Sequence, residues 1–367
     1  MKDFDVVVVG GGISGLVVAD GLIEAGLTVK VFEARAEVGG RMATVAVPGG
    51  HADLGATWFW PGERRIAALV DRLELATHQQ WSTGDALVSA HGQLRRVSWG
   101  AAPAWRFSEG AATVPAALAD QLPTGTVATG CVVQRIESTD TGVLVHLGDT
   151  RVSARCAVVA LPPSLALGAG LIPDEALDPD LAMVASTIPV WMGATAKAVA
   201  VYPNAFWRTA GLSGLATATD GPLHEIHDMS GPNGQPAMLF GFGQAGPGRS
   251  EITQAAITDQ LTGLFGPEAA TPLEILIRDW QLEEHTTSPH HRASQRYDLF
   301  SSPLLQRPAW AGRLYWASTE TSSEAPGHIE GALTAAERTI HAIAWHLGQA
   351  NADAIPQAKL HRIEPKV

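Results

Sequence analysis

The chain has 367 residues, of which 46% are hydrophobic, and a formal net charge of −12. This length and composition predict a globular protein with a sizeable core, most simply divided into two domains. The acidic balance and the lack of any run rich in lysine or arginine exclude nucleic acid and anionic membranes as the main partner, so a small-molecule ligand is expected.

The cysteines, histidines and apolar runs indicate the environment of the protein. Cys131 and Cys156 are the only cysteines, too few for a disulfide framework and without the spacing of metal ligands. The histidines form no HExxH motif, so we expect no metal. We find neither an export signal nor a run of the ~20 apolar residues that span a bilayer. We therefore expect a cytoplasmic protein without a membrane anchor.

The beginning of the chain carries a nucleotide-binding pattern. Residues 5–33, DVVVVGGGISGLVVADGLIEAGLTVKVFE, predict a buried strand, a glycine turn, a helix and a second strand that ends in Glu33. Gly10 permits the tight turn, Gly12 admits a pyrophosphate to the backbone, and Gly15 lets the helix lie close on the sheet. Glu33 is placed to accept hydrogen bonds from ribose hydroxyls. The alternative is a glycine turn that binds nothing. The expected cofactor contacts of the turn and helix N-terminus are Gly10, Gly12, Ile13, Ser14 and Gly15.

A second glycine pair follows Glu33, in ARAEVGGRMAT at residues 34–44. Its glycines allow another close approach to the backbone, and Arg41 is placed to bridge phosphate oxygens. This run resembles the signature that follows the ribose acid in the flavin amine oxidase superfamily, which includes monoamine, polyamine and L-amino-acid oxidases. The resemblance implies FAD, and implies that ADLGATW at residues 52–58 returns the chain to the flavin. The cofactor-binding residues implied here are Ala34, Arg35, Gly39, Gly40, Arg41, Met42, Gly55, Ala56 and Thr57.

A matching motif lies near the other end of the chain. Residues 313–320, RLYWASTE, predict a short strand that ends in small polar residues, and a helix begins near Ile329. The order of strand, TET, glycine turn and EGA on a helix is similar to the segment that closes the FAD site of the amine oxidases. The resemblance implies that Ser318 and Glu320 lie along the ribitol and diphosphate and that the N–H of Ile329 meets the flavin pyrimidine. The helix is also a good amphipathic helix in its own right.

The β-rich runs between residues 126 and 162 resemble the middle FAD-binding segment of the family, with Val132 against the adenine. The implied fold class is α/β, with a Rossmann-like FAD-binding domain, containing the βαβ unit and GxGxxG, and an interleaved α+β substrate domain, as in monoamine oxidase. The expected ranges are 1–77, 108–186 and 289–350 for the FAD-binding domain, 78–107 and 187–288 for the substrate domain, and 351–367 for a C-terminal tail.

Lys197 interrupts the apolar run GATAKAVAVYPNAFWR at residues 193–208, which alternates as a half-buried strand does. Alternation alone allows a lysine that points to solvent, although lysines are rarely buried without a reason. Amine oxidases carry a lysine on a comparable strand, followed by a similar aromatic–Trp–Arg segment, where it holds a water against the flavin N5. The resemblance implies that Lys197 is the catalytic residue that orients this water and assists the reaction with oxygen, without forming a Schiff base.

Trp280 resembles the tryptophan that precedes the last flavin segment of the family, so we expect it at the cofactor. In mammalian monoamine oxidases a cysteine further along binds the flavin covalently. Pro289 occupies that place in this chain, and neither cysteine lies near it in the sequence. FAD is therefore expected to be held non-covalently.

Two histidines stand where the family places the tyrosines of an aromatic cage around the substrate amine. His328 precedes the hydrophobic–Glu–Gly–Ala run, and His290 is reached by counting from Trp280; a surface histidine is the alternative for His290. Imidazole is smaller and more polar than phenol, so the pocket is expected to suit a hydrophobic arylalkylamine less well. Trp58 and Trp60 are expected as apolar walls of the same pocket.

The resemblance implies an FAD-dependent amine oxidase that transfers a hydride from the amine-bearing carbon to flavin N5. The imine is then hydrolysed to an aldehyde or ketone, and O2 is reduced to H2O2. The expected partners are a small-molecule amine and O2, and the family allows a homodimer. Two alternatives stay open: an FAD-dependent C–C desaturase or dehydrogenase, similar to protoporphyrinogen oxidase or phytoene desaturase, and a flavin-binding accessory protein without redox activity. Lys197 disfavours the desaturase, whereas the two histidines favour it.

Overall fold

The computed structural model describes residues 3–100, 102–244, 251–287 and 297–348. Within these ranges the chain forms two seven-stranded sheets, a hairpin and a three-stranded sheet. His290, Pro289 and the predicted tail at 351–367 lie outside the described residues.

The strands in chain order are β1 (Phe4–Val9), β2 (Val29–Phe32), β3 (Thr44–Val47), β4 (Gly50–Asp53), β5 (Trp58–Phe59), β6 (Thr77–Gln79), β7 (Asp85–Ala90), β8 (Gln93–Val97), β9 (Trp105–Phe107), β10 (Val127–Ala128), β11 (Arg135–Thr139), β12 (Gly142–Leu147), β13 (Thr150–Val159), β14 (Ala196–Tyr202), β15 (Leu212–Ala218), β16 (Glu225–Asp228), β17 (Ala237–Gly243), β18 (Glu274–Asp279) and β19 (Leu314–Trp316). The α-helices are α1 (Ile13–Glu24), α2 (Arg64–Arg72), α3 (Thr113–Gln121), α4 (Pro163–Gly168), α5 (Pro179–Thr187), α6 (Phe206–Thr209), α7 (Gln254–Phe265), α8 (Pro303–Gln306) and α9 (Ile329–His346). Short 3₁₀ turns join several of these elements, including one at Thr319–Thr321.

The first sheet is built around the predicted βαβ unit. β1 pairs in parallel with β2 on one side and β13 on the other, and β10 extends the sheet in parallel beyond β2. The first half of β13 pairs antiparallel with β12, whereas its last three residues pair in parallel with β19. Helices cover both faces of the parallel part, which is why the strand VVVV of β1 is apolar throughout and buried.

The second sheet has the strand order β18–β14–β17–β16–β15–β7–β8. β14 lies between β17 and β18 and has apolar clusters on both faces, so all seven of its residues are buried. One of these clusters includes Ala52 and Leu54, so the segment at the end of β4 packs against this sheet. The second sheet therefore positions the residues that follow Leu54.

The fold class predicted from the sequence is confirmed: a Rossmann-like parallel sheet with helices is joined to an α+β unit. Every strand of the first sheet falls within the ranges expected for the FAD-binding domain, and every strand of the second within those expected for the substrate domain. The exact domain boundaries stay a prediction. Among the described helices, none combines the length and the apolar composition needed to cross a membrane.

Candidate active site

The turn between β1 and α1 is packed tightly at one glycine and open at another. A Cβ at Gly15 would lie 2.0 Å from the carbonyl oxygen of Gly10, so only glycine lets α1 pack on the turn. At Gly12 a Cβ would meet only the carbonyl oxygen of Gly39, at 3.9 Å. Gly12 therefore faces open space that a pyrophosphate could enter.

The N-terminus of α1 begins at this open space. Gly12 is the N-cap residue, no side chain caps the helix, and its first turn contains no acidic residue. The first amides of a helix have no intrahelical partner, and the helix dipole adds a partial positive charge there. The hydroxyl of Ser14 donates to the carbonyl of Ala317 and ties the helix to the end of β19. The backbone amides at this end suit an anionic phosphate.

Glu33 follows β2 and is buried against the glycine turn. Its Oε2 accepts a hydrogen bond from the N–H of Gly11 at 2.7 Å, and its Oε1 accepts one from the N–H of Arg35 at 2.9 Å. The carbonyl of Glu33 accepts from the N–H of Cys131 at 2.8 Å, which brings the neighbouring Val132 to the same place. The carboxylate is thus held in one position beside the glycine turn.

The second glycine pair packs on the first. The N–H of Gly39 donates to the carbonyl of Gly11 at 2.9 Å, and Gly39 has a φ of +121° that favours glycine. Arg41 makes two hydrogen bonds to Glu320, at 2.6 and 3.2 Å. Glu320 is fully buried and also accepts from the N–H of Trp191 at 3.2 Å. The sequence did not predict this Arg41–Glu320 pair, which joins the two distant motifs directly.

A cavity opens between these segments, and most of the predicted cofactor-binding residues line it. They are Gly10, Gly12, Ile13, Ser14, Glu33, Ala34, Arg35, Gly39, Gly40, Arg41, Met42, Ala56, Val132, Trp280, Ser318 and Ile329. The remaining ones lie behind its wall, and these are Gly15, Gly55, Thr57 and Glu320. We call this space the cofactor cavity.

The residues of the cofactor cavity fit a flavin dinucleotide. The hydroxyl of Ser318 is buried and has no hydrogen-bond partner within the described part of the chain. The hydroxyl and phosphate oxygens of FAD would satisfy it. The N-terminus of α1 offers amides to the diphosphate, and Glu33 offers a carboxylate to ribose hydroxyls. The donors and acceptors therefore match those of FAD.

Lys197 is fully buried on β14, so the alternative of a solvent-facing lysine is wrong. Its Nζ donates to the carbonyl of Gly55 at 2.9 Å and to the hydroxyl of Thr57, and it lies 4.4 Å from the ring centroid of Phe240. Burial lowers the pKa of Lys197 to about 7. Lys197 lies behind segment 55–57, of which Ala56 faces the cofactor cavity, and its catalytic role stays a prediction.

Two buried charges beside Lys197 were not predicted. Arg106 is 4% exposed, and its Nη2 lies 3.8 Å from Oδ2 of Asp53. The other carboxylate oxygen of Asp53 accepts from the N–H of Ala111 at 2.8 Å and from the hydroxyl of Thr44 at 2.6 Å. Asp53 raises the pKa of Lys197 and Arg106 lowers it, both by less than burial does. Asp53 and Arg106 therefore tune the charge of the lysine.

His328 is the N-cap residue of α9 and lines the cofactor cavity. Its Nδ1 lies 2.7 Å from Oε1 of Glu63, which is buried. The imidazole packs against the indole of Trp60, with ring centroids 5.0 Å apart, and near that of Trp191, at 6.3 Å. Neither Glu63 nor Trp191 was predicted, although Glu63 stands only three residues after Trp60 in the sequence.

A second cavity lies beside the second sheet, and we call it the aromatic cavity. The side chains that wall it include Trp58, Trp60, Trp81, Trp99, Glu225 and His227. Nε2 of His227 lies 2.6 Å from Oε1 of Glu225, and this hydrogen bond lowers the pKa of the carboxyl. Because Trp60 walls this cavity and packs on His328, the two cavities adjoin at that contact. The Glu225–His227 pair was not predicted, although the two residues lie two apart on one strand.

Comparison with known proteins agrees with this site. The model of a family described as flavin containing amine oxidoreductase matches residues 13–97 and 86–343. The chain belongs to the flavin-containing amine oxidoreductase family. A putative flavin-containing monoamine oxidase, AofH, of Mycobacterium tuberculosis is 26% identical over 447 aligned positions, covering 93% of this chain and 96% of that protein. A putrescine oxidase from Kocuria rosea is 42% identical over 96 residues, which cover 26% of this chain and 20% of the relative.

Solved structures of flavin amine oxidases share the fold. Cyclohexylamine oxidase from Brevibacterium oxydans IH-35A superposes with a TM-score of 0.81 at 22% identity, covering 95% of this chain and all of that one. A putrescine oxidase with bound putrescine gives a TM-score of 0.80 at 21% identity, covering 93% of this chain and 99% of the other.

Membership of the flavin-containing amine oxidoreductase family confirms the predicted family, fold and FAD cofactor, and makes this chain an FAD-dependent amine oxidoreductase. Non-covalent attachment stays a prediction.

Proposed function

We propose that this amine oxidoreductase is an oxidase. Its substrate is a small-molecule amine that binds in the aromatic cavity, and the enzyme reduces O2 to H2O2. The observation that carries the proposal is the packing of Trp60 on His328, at 5.0 Å between ring centroids. Trp60 walls the aromatic cavity and His328 lines the cofactor cavity, so an amine held by the tryptophans lies next to the cofactor.

The residues of the cofactor cavity would bind FAD by its polar groups. The amides at the N-terminus of α1 would hold the diphosphate, Glu33 the ribose, and Ser318 an oxygen of the ribityl chain or diphosphate. Bound FAD supplies the hydride acceptor and the reaction with oxygen.

The aromatic cavity would orient the amine. The indoles of Trp58 and Trp60 can attract the positive charge of an ammonium group, and they provide an apolar wall for its carbon chain; the ring of Trp81 already lies under the guanidinium of Arg208, at 4.3 Å. Gly55 and Thr57 use two N–H bonds of Lys197, so it would hold a water through the third hydrogen of the ammonium form or through the lone pair of the neutral amine. This role of Lys197 rests on the family resemblance and on its burial beside segment 55–57.

A panel of primary, secondary and polyamines tests the proposal. The flavin-loaded protein should release H2O2 with at least one amine, and the same amine should bleach the flavin absorbance anaerobically. Bleaching without peroxide would indicate a dehydrogenase with another electron acceptor. If no amine gives either signal, the proposed function is wrong. Free FAD with heat-denatured protein serves as the control.

A further inference from the structure

The pair formed by His328 and Glu63 has a geometry in which only one ring nitrogen faces a ligand. A carboxylate only accepts hydrogen bonds, so at 2.7 Å from Oε1 of Glu63 the Nδ1 of His328 carries the hydrogen. Within the described residues Nε2 of His328 has no hydrogen-bond partner, and the side chain is 36% exposed where it lines the cofactor cavity. Nε2 is therefore the atom that can exchange a proton with a bound molecule.

Glu63 is fixed by the backbone around it. Its Oε2 accepts from the N–H of Trp60 at 2.9 Å, and its side chain is only 10% exposed. The main-chain turn that carries Trp60 thus holds the carboxylate as well, and leaves Oε1 for the imidazole. A carboxylate held in this position fixes the orientation and the tautomer of the imidazole.

The charged side chains around His328 and Glu63 pair with one another and not with these two residues. Glu320 is bonded to Arg41, and Glu330, in the first turn of α9, is bonded to Arg65 and to two backbone amides of α2. Arg65 also binds the two further acids that approach it, which are Glu324 and Glu337. Arg64 is exposed, and the segment with Trp191 brings no charged side chain to the imidazole. Among the described residues, Glu63 has His328 as its ion-pair partner.

The proposed reaction has a proton to remove. Alkylamines are ammonium ions near neutral pH, and the loss of a hydride from a cation would build a second positive charge on the same group. The amine must therefore be neutral before its hydride leaves. The aromatic walls attract the ammonium, so a base close to them would speed the reaction at pH values below the pKa of the amine.

We propose that His328 is a general base that takes the proton from the bound ammonium, and that Glu63 is the positioning residue that fixes its tautomer. The inference rests on the proposed function, since it needs an amine substrate. An N–H bond of the ammonium breaks, its electron pair stays on the amine nitrogen, and the proton bonds to Nε2 of His328. No electrons are transferred in this step, and the imidazolium later returns the proton to solvent.

A tyrosine at this position could pack on the substrate but would not serve in the same way. Imidazole is the side chain that exchanges protons near neutral pH, whereas an ordinary phenol does so at about pH 10. The substitution His328→Tyr therefore keeps an aromatic ring beside Trp60 and removes the base. His146→Phe is a matched control, because His146 pairs with Glu137 at 3.1 Å on the first sheet, away from both cavities.

The test is the rate of anaerobic flavin reduction across pH, with an amine that the wild type oxidises. His328→Tyr should be slower by about 100-fold near pH 7, which is the low end of general-base contributions. The deficit should shrink by roughly tenfold per pH unit and disappear by about pH 9, because the free amine then becomes abundant enough without a base. Glu63→Gln should show a smaller deficit with the same trend, and His146→Phe none. A deficit that is independent of pH would overturn the proposal.

A readout independent of turnover comes from the imidazole itself. Long-range proton–nitrogen correlation spectra, assigned through the signal lost in His328→Tyr, should show Nδ1 protonated and Nε2 unprotonated in the neutral ring. The Nε2–H tautomer would overturn the proposal, and Glu63→Gln should shift the balance towards it. Visible absorbance and melting temperature check that each variant binds flavin and folds. If no amine reduces the flavin of the wild type, both the proposed function and this step are wrong. If an amine reduces the wild-type flavin but the rate deficit of His328→Tyr is independent of pH, only this step is wrong.

Discussion

Lys197 places an ionisable group in the interior, and this lowers the free energy of unfolding by a measurable amount. Burial lowers its pKa from 10.5 to about 7. Between these values the unfolded chain binds the proton and the folded chain does not, so stability rises with pH across this range. The cost of burial is therefore present in full below the folded pKa and is lost as the pH approaches the unfolded value.

Lys197→Met removes this dependence. The unfolding free energy of the wild type minus that of the variant should increase by more than about 1 kcal/mol between about pH 7 and pH 10. Urea unfolding at several pH values measures the difference. Lys30→Met, which removes a lysine from β2, is the control for loss of a strand lysine. A difference that stays flat with pH would contradict the burial of a neutral amine.

The same variant examines the predicted role of Lys197 towards oxygen. Flavin should still bind, because the lysine does not line the cofactor cavity. Stopped-flow reoxidation should be slower by about tenfold or more, as expected for the loss of a group that orients a reacting water. An unchanged rate would remove the assignment.

At this scale the sequence predicted single residues better than pairs. Alternation left Lys197 undecided between core and solvent, and only the strands on both sides of β14 determine that it is buried. Glu63 and His328 are 265 residues apart, so no local pattern joins them. Arg41 was predicted as a phosphate ligand, but its bond to Glu320 depends on a contact across 279 residues.

In the β1–α1 turn, one glycine is required for packing and another for cofactor binding. Gly15→Ala should destabilise the protein even without FAD, because its Cβ would lie 2.0 Å from a backbone oxygen that cannot move aside. Gly12→Ala should leave the melting temperature of the FAD-free protein nearly unchanged, since the nearest atom is 3.9 Å away.

Gly12→Ala should nevertheless weaken FAD binding, because the added methyl group occupies the space that the pyrophosphate approaches. Thermal unfolding and titration with FAD separate the two effects. Equal losses of stability in both variants would show that Gly12, too, serves packing alone. The sequence predicted this element well because glycine requirements are set by the local backbone, whereas the position of Glu225 and His227 at the aromatic cavity depends on how β16 lies in its sheet.

For the whole molecule, the cofactor cavity exists only in the folded chain. Its walls come from segments around residues 10–14, 33–42, 131–133 and 318–332. The discontinuous domain was predicted from a family resemblance, while the strand order of the second sheet was not, because pairing between distant strands leaves no periodic trace in a single sequence.

Unfolding should therefore release the cofactor. If FAD is held non-covalently, acid or heat precipitation should leave the yellow colour in the supernatant, and added FAD should raise the melting temperature of the FAD-free protein. Absorbance of the two fractions measures the release. Cys131 lines the cavity beside Glu33, where the ribose would bind, so Cys131→Ser serves as a control with the same expected outcome. Colour that stays with the precipitate would show a covalent bond.

The bond from the hydroxyl of Ser14 to the carbonyl of Ala317 spans 303 residues. On the ribosome, the first βα unit emerges long before its partner strand does. A nascent chain that ends short of Leu314 lacks β19, the Ser318 hydroxyl and the helix that begins at Ile329. We therefore expect FAD to bind only after nearly the entire chain has been synthesised.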